Sequence, residues 1–332
     1  MENLHTLEAL IIFATGFIVS FVCLPVIMRR MREWGIVGHD AHKKDRPLVP
    51  EMGGIAILIG LSASLLAGLV LIPTKSDLLI SFWGTVVIAG IIGAIDDLKP
   101  LNAKVKPFLT LFACVPILLM RTYTPNIVFP IIGGTRLTMV YPLLIPIVMA
   151  VTSNAVNMMD PFNGVMVGSC SIVTLTLLVS ALLLGGGDAI FLCTSLLGVL
   201  LAFYYYNRYP SRVFSGDVGS LSVGAALGAI AILGRLEVVA VVAFMPQIMN
   251  AFYGLSTIGR LYERREVARP TKLLEDGRMM ARPDPKAPLT LARFILARGP
   301  LYEREAVTIF MILSIISGAL ALVTAYLIGV TP

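Results

Sequence analysis

Seven polar side chains fall at the ends of long apolar runs: Asp96, Asp97, Asn154, Asn157, Asp160, Asn163 and Asp217. Carboxylate and amide oxygens are the donors a hard cation such as Mg²⁺ takes. A carboxylate at the centre of a membrane helix costs roughly 2.5–3.5 kcal/mol even on lenient scales. Acids therefore persist beside a bilayer core when they have a watery cleft, a basic partner or a metal. The chemistry these residue types allow is metal-assisted handling of an anionic substrate.

Three short segments carry them. In GAIDDLKPLNAKVK, Asp96 and Asp97 are adjacent and must point in different directions, so the pair divides its labour. One is expected to face a ligand or metal and the other a nearby cation. The structural alternative makes both of them helix-end acids paired with Lys99 or Lys104, although anions are disfavoured at a helix C-terminus. In SNAVNMMDPFNG, Asn154 and Asn157 are three residues apart on one helix face. Pro161 disfavours helical geometry at Asp160, so the helix should end near there and leave Asp160 and Asn163 lining a turn. Asn154 could equally serve as a hydrogen-bonded tie between helices. In FSGDVGS, Asp217 opens an apolar helix as an N-cap would. The small residues around it would also let a phosphate or metal approach the backbone, and Phe214 could stack on a flat ring.

A basic set complements the acids. It comprises HDAHKKDRPLVPEMGG over residues 39–54, Lys106, and the segment ERREVARPTKLLEDGRMMARPDPKAP over 263–288. Clusters such as Arg264-Arg265 and Arg269 suit a polyphosphate. LTLARFILAR (289–298) reads as an amphipathic stretch lying on a membrane surface.

The elements that must position these groups are membrane helices. The chain has 332 residues, 57% of them hydrophobic and 14% charged, with a mean hydropathy of +0.87; soluble domains average about 25% charged. Runs long enough to span a bilayer, roughly 17–25 residues, occur ten times: 7–28, 53–73, 78–95, 105–121, 141–159, 164–184, 188–206, 217–234, 237–259 and 305–328. Pro107 and Pro116 interrupt the fourth. The first is too long for a cleaved signal peptide and lacks its basic start, so it should stay as a helix. Loops 29–52, 96–106, 207–216 and 260–304 hold 22 of the 26 Lys and Arg residues. The excess of basic residues puts those loops in the cytoplasm and both termini outside. The expected fold is an all-α integral membrane protein, one polytopic domain over 1–332, with 260–304 as a large cytoplasmic loop. The net charge of +6 is then mostly topological, and no basic stripe interleaved with aromatics suggests nucleic acid. Cys23, Cys114, Cys170 and Cys193 lie inside the spans without metal-type spacing. TYTPNIVFPIIGGTRLTMV (122–140) is expected to form a short external hairpin.

VPEMGG after the first span, DDLKPLNAKVK, SNAVNMMDPFNG and FSGD at the eighth span carry a resemblance. The chain resembles the polyprenyl-phosphate N-acetylhexosamine-1-phosphate transferases over almost its whole length. The bacterial cell-wall branch would have Asp at Asn163 and a histidine-rich motif in the last cytoplasmic loop, but no His follows His42. GPLYERE before the last helix is similar to the eukaryotic dolichyl-phosphate branch, while Asp160 agrees with the bacterial one. A eukaryote-like archaeal type accounts for the mixture.

The resemblance implies transfer of GlcNAc-1-phosphate from UDP-GlcNAc to a polyprenyl or dolichyl phosphate in the membrane, with release of UMP and with Mg²⁺, or Mn²⁺ in its place. Asp217 and Asn157 match metal-binding positions. Asp96 matches the group that engages the lipid phosphate as base or orienter, with Asp97 its companion and Lys106 a lysine of the phosphate site. Phe214, Asn163 and Glu51 match nucleotide-sugar contacts, and Asn154 and Asp160 join them as substrate-binding groups. A basic motif of the last loop aligns loosely with Arg265 and Arg269. Another UDP-N-acetylhexosamine donor, a homodimer and an aspartyl-phosphate route all stay open. A cation-coupled transporter is the rival from another class, but it would place its acids near the bilayer midplane and show inverted repeats.

Overall fold

The computed structural model describes residues 2–259, 261 and 267–330. It is mostly helical: α1 (Glu2–Glu33), α2 (Gly54–Leu71), α3 (Ser76–Leu98), α4 (Val105–Thr110), α5 (Val115–Met120), α6 (Tyr141–Met158), α7 (Val165–Leu183), α8 (Gly187–Asn207), α9 (Gly216–Leu233), α10 (Glu237–Ala243), α11 (Met245–Ile258), α12 (Leu291–Leu296) and α13 (Glu303–Gly329). Three short antiparallel hairpins join β1 (Val37–His39) to β2 (Leu48–Pro50), β3 (Asn126–Phe129) to β4 (Gly133–Arg136), and β5 (Thr271–Leu273) to β6 (Met279–Ala281). The β3–β4 pair is the hairpin expected within 122–140.

All ten apolar segments are helical, and eight helices among the described residues are long and apolar enough to cross a membrane. In hydrocarbon the backbone must satisfy its own hydrogen bonds, and a helix does so within one segment. The two departures have local causes. The fourth segment is split into α4, a 3-10 turn over Leu111–Cys114, and α5, with Pro116 in the first turn of the last piece. Each proline removes a backbone donor and crowds the preceding turn. The ninth is broken between α10 and α11, which are bent by 67° about Phe244, with Pro246 opening the second half. The chain is a multi-pass membrane protein.

The central helix is α9, 16 of whose residues are buried. A helix apolar on every side belongs inside a bundle. Its neighbours α3 and α6 carry the expected site residues. The α3–α9 approach is close: a Cβ added to Gly93 would lie 2.3 Å from the Asp217 carbonyl oxygen. Loop contacts gather four connections at one end of the bundle. Gly53 and Gly54 donate backbone N–H bonds to the carbonyls of Phe214 and Ser215, and Phe214 N–H returns to Pro50. Asn163, between α6 and α7, bonds Asp40 of the α1–α2 loop and Glu303 at the start of α13.

A second, smaller core sits at that end, built from Met159, Phe162, Phe310, Met279 and the apolar face of α12. The stretch expected to lie on the membrane surface is thus anchored to the protein through Leu291, Ala292 and Leu296, leaving Phe294 62% exposed. The amphipathic pattern of α12 turns these three residues inward against the smaller core. Cys114, Cys170 and Cys193 are buried, Cys23 is half-buried, and all four are free.

Candidate active site

Lys106, in the first turn of α4, is the hub of a polar network drawn from four helices. Its Nζ lies 2.6 Å from Asp96 Oδ2 and 2.5 Å from Asp217 Oδ2. It also donates to Asn157 Oδ1 at 3.4 Å. The Asn157 amide donates to Asp217 Oδ1 at 2.5 Å and to Ser220 Oγ at 2.7 Å. That pair of donations turns the Asn157 carbonyl oxygen towards the ammonium. Three oxygens from α3, α6 and α9 therefore converge on one positive charge.

Asp96 and Asp97 diverge as neighbours on a helix must. Asp96 accepts from Leu101 N–H at 2.5 Å with Oδ1 and from Lys106 with Oδ2, so its cation is Lys106 rather than Lys99 or Lys104. Asp97 accepts two backbone bonds, from Asp217 N–H at 2.7 Å and Val218 N–H at 2.9 Å. It closes the N-terminus of α9, where amides are unpartnered and negative charge is favoured. This offsets its unfavourable place at the C-terminus of α3. Gly216 makes the approach possible: its φ is +67°, and a Cβ there would lie 2.5 Å from Asp97 Oδ2.

Other expected residues border the network. Asn154 Nδ2 donates to Thr110 Oγ1 at 2.9 Å, tying α6 to α4. Asp160 Oδ2 accepts from Ser215 Oγ at 2.8 Å. Glu51 lies on the strand-like segment that backbone bonds hold against Phe214, and its carboxylate covers Gly38. Asn163 belongs to a different cluster. Its amide donates to Asp40 Oδ2 at 2.9 Å and its backbone N–H to Glu303 Oε1 at 2.9 Å. Burial favours the neutral form of Asp40, but hydrogen bonds from Lys43, Asn163 and the His42 backbone, with the Lys43 charge, outweigh it and hold the carboxyl below its ordinary range. Arg269 is exposed, and Arg265 lies outside the described residues.

Sequence reasoning missed Ser220, Thr110, Asp40 and Glu303. Ser220 had a signal, since it follows Asp217 by three residues on the same helix face. Glu303 had none, because an acid in the first turn of a helix reads as ordinary dipole pairing.

The donor set fits a hard divalent ion. Asp96, Asp217 and Asn157 offer oxygen only, the Lys106 ammonium already marks a cation position among them, and Mg²⁺ is commonly held by one or two carboxylates together with substrate phosphates.

Fold and site define a multi-pass membrane protein with an acid, amide and lysine centre at one end of its bundle. Comparison with known proteins narrows this. A family profile described as glycosyl transferase family 4 matches residues 79–235, the stretch that holds the whole Lys106 network. A protein of Methanocaldococcus jannaschii, provisionally named a glycosyltransferase, is 30% identical over 307 residues, covering 91% of this chain and 92% of its own. One of Saccharolobus solfataricus, provisionally named a UDP-N-acetylglucosamine–dolichyl-phosphate N-acetylglucosaminephosphotransferase, is 29% identical over 76% of this chain and 80% of its own. The phospho-N-acetylmuramoyl-pentapeptide-transferase of Moorella thermoacetica is 33% identical over 70% and 78%. The chain belongs to glycosyl transferase family 4.

Proposed function

We propose that this protein transfers GlcNAc-1-phosphate from UDP-GlcNAc to a polyprenyl phosphate of the dolichyl type, releasing UMP. The observation that carries the reading is the convergence of Asp96, Asn157 and Asp217 on Lys106, in a chain whose relatives are named for this class of transfer. The site faces the cytoplasm of the cell membrane, because the loops around it hold 22 of the 26 Lys and Arg residues.

The acceptor is a phosphate monoester, largely dianionic near neutral pH because its second pKa is about 6, so it needs little help from a base. A lipid phosphate oxygen attacks the β-phosphorus of the nucleotide-sugar. The new P–O bond forms as the bond from the β-phosphorus to the bridging oxygen breaks, and UMP leaves with that oxygen. The difficulty is bringing two anions together and stabilising the leaving charge, which is electrostatic work. Asp217 and Asn157 would hold Mg²⁺ or Mn²⁺, which when bound neutralises phosphate charge. Lys106 brings its own positive charge to the same phosphates. Asp96 orients that lysine, since both of its oxygens are already engaged. Asp97 fixes the first turn of α9 and with it the direction of Asp217. Glu51, Phe214 and Asn163 are the nucleotide-sugar contacts. The basic segment 263–288, with Arg265 and Arg269 in its sequence, supplies positive charge that draws it in.

The test is a panel of donors assayed for UMP release in detergent, with mass spectrometry of the lipid product. UDP-GlcNAc with dolichyl phosphate should react in a manner dependent on Mg²⁺ or Mn²⁺. UDP-glucose should be slower by roughly tenfold or more, since leaving polar groups that match an acetamide unpaired costs about 1–3 kcal/mol. Equal rates with both donors would refute N-acetyl recognition, and absence of a diphosphate-linked lipid would refute the transfer.

A further inference from the structure

We propose that Asp40, His42 and Glu303 form a second divalent-cation site, of the kind that takes Zn²⁺, separate from the Asp217 centre. One ligand atom from each of the three lies within 4.8 Å of the others. Proximity alone would not carry the proposal, because acids cluster for many reasons. The independent observation is an orphaned oxygen. Glu303 is 5% exposed, and its Oε1 accepts from Asn163 N–H at 2.9 Å. Its Oε2 is buried and has no hydrogen-bond partner among the described residues. A buried carboxylate oxygen left unpaired is costly, and the cost is larger for a charged group. A cation between Glu303 and its two neighbours would remove that cost.

The surroundings hold the three groups in place, as the partners of metal ligands do. Asp40 is 2% exposed and is fixed by Lys43, by Asn163 Nδ2 at 2.9 Å and by the His42 backbone N–H at 3.3 Å. The His42 ring stands edge-on to Phe162 with centroids 5.0 Å apart, and Phe162 stands likewise against Phe310 at 5.9 Å. Two carboxylates and one nearby ammonium leave the cluster short of positive charge. The donor chemistry also separates this cluster from the Lys106 network. An imidazole nitrogen beside carboxylates suits Zn²⁺ and similar transition ions, whereas the all-oxygen set around Asp217 suits Mg²⁺. An ion here would tie the α1–α2 loop, which carries Glu51, to the first turn of α13 and, through Asn163, to the α6–α7 turn.

The experiment uses the full-length protein in detergent, stripped with a chelator and dialysed against Zn²⁺ in excess Mg²⁺. Bound zinc is counted by elemental analysis, and Co²⁺ replaces it as a visible-absorption probe. One Zn²⁺ should be retained per chain, and Co²⁺ should give a ligand-field band. Glu303→Gln keeps an acceptor for Asn163 N–H, and His42→Ala changes a half-buried side chain. Each should weaken retention by roughly tenfold or more, while Asp217→Asn should keep the ion. Gel filtration checks folding, and if Glu303→Gln does not fold, His42→Ala decides. No zinc on the unaltered protein, undiminished zinc on the folded variants, or loss of zinc in Asp217→Asn would each overturn the proposal.

Discussion

At the end of the bundle away from the site, Lys75 pairs with Asp188 across 2.6 Å, both side chains 43% exposed. At the same end the Tyr141 hydroxyl, at the start of α6, donates to Glu237, at the start of α10. Each of these contacts joins one residue to one partner across two helix ends. At the site end, one lysine is shared by three oxygens from three other helices, and Asp97 reaches across to two backbone amides. An acid at a helix end needs only one partner to persist. Convergence of three helices on a single cation from a fourth exceeds that need, and Lys106 is 18% exposed where Lys75 is 43%. The two ends therefore separate charge that ties connections together from charge gathered for chemistry.

The largest expected difference is in turnover. Asp217→Asn keeps the size of the side chain and its ability to cap a helix, yet it should cut UMP release by at least roughly 10²-fold, the scale of losing one major electrostatic stabiliser. Asp188→Asn should leave turnover within about twofold, as exposed pairs contribute little. Similar rates for both variants would erase the functional distinction between the ends.

Stability should divide them next. Lys106→Met removes the cation between two poorly exposed carboxylates, and breaking a buried pair from one side costs roughly 3–5 kcal/mol. Because the three oxygens remain, added Mg²⁺ should raise the melting temperature of Lys106→Met more than that of the unaltered protein, as any ion that binds the folded state does. Equal Mg²⁺ responses would show that the oxygens do not form a cation site.

How much of this was legible beforehand varied with the physics involved. The ten helical segments could be read because bilayer thickness sets a length and hydrocarbon sets a composition. The break at Phe244 could not, since Pro246 is also tolerated in unbroken membrane helices. Asp96, Asp97, Asn157 and Asp217 stood out as polar groups in apolar runs. The family resemblance already put Lys106 in the same site, but that its ammonium bonds three of them needed the fold, because the partners are 10, 51 and 111 residues away in the chain. Asp96 and Asp97 were expected to divide their labour, but only the packing of α3 on α9 shows that the two oxygens of Asp97 cap another helix. Asn163 was read with the nucleotide-sugar site, but its tie to Asp40 and Glu303 depends on contacts 123 and 140 residues apart, which no local pattern encodes.

A smaller effect separates the adjacent acids. Asp97→Asn can offer only one oxygen where two backbone N–H groups now bond, so one amide of α9 loses its partner. Thermal unfolding should show a loss of about 1–3 kcal/mol, accompanied by slower transfer because the first turn of α9 directs Asp217. Transfer that falls while the melting temperature holds would instead place Asp97 in direct contact with substrate.

The smallest effect should come from the Lys75–Asp188 pair. A lysine and an aspartate that are both half-exposed gain little Coulomb energy in water, and the lysine loses rotamer freedom, so a double-mutant cycle with Lys75→Met and Asp188→Asn should give a coupling of about 0.2–1 kcal/mol. Screening at high salt should shrink it further, because the Debye length falls from about 10 Å at 0.1 M to about 3 Å at 1 M. The same cycle on Lys106 and Asp217 should give a larger coupling that salt barely changes, since that pair is shielded from bulk ions. If the Lys75–Asp188 coupling matched it, or resisted salt equally, exposure would not be what distinguishes the two ends, and the contrast would have to rest on the convergence of the helices alone.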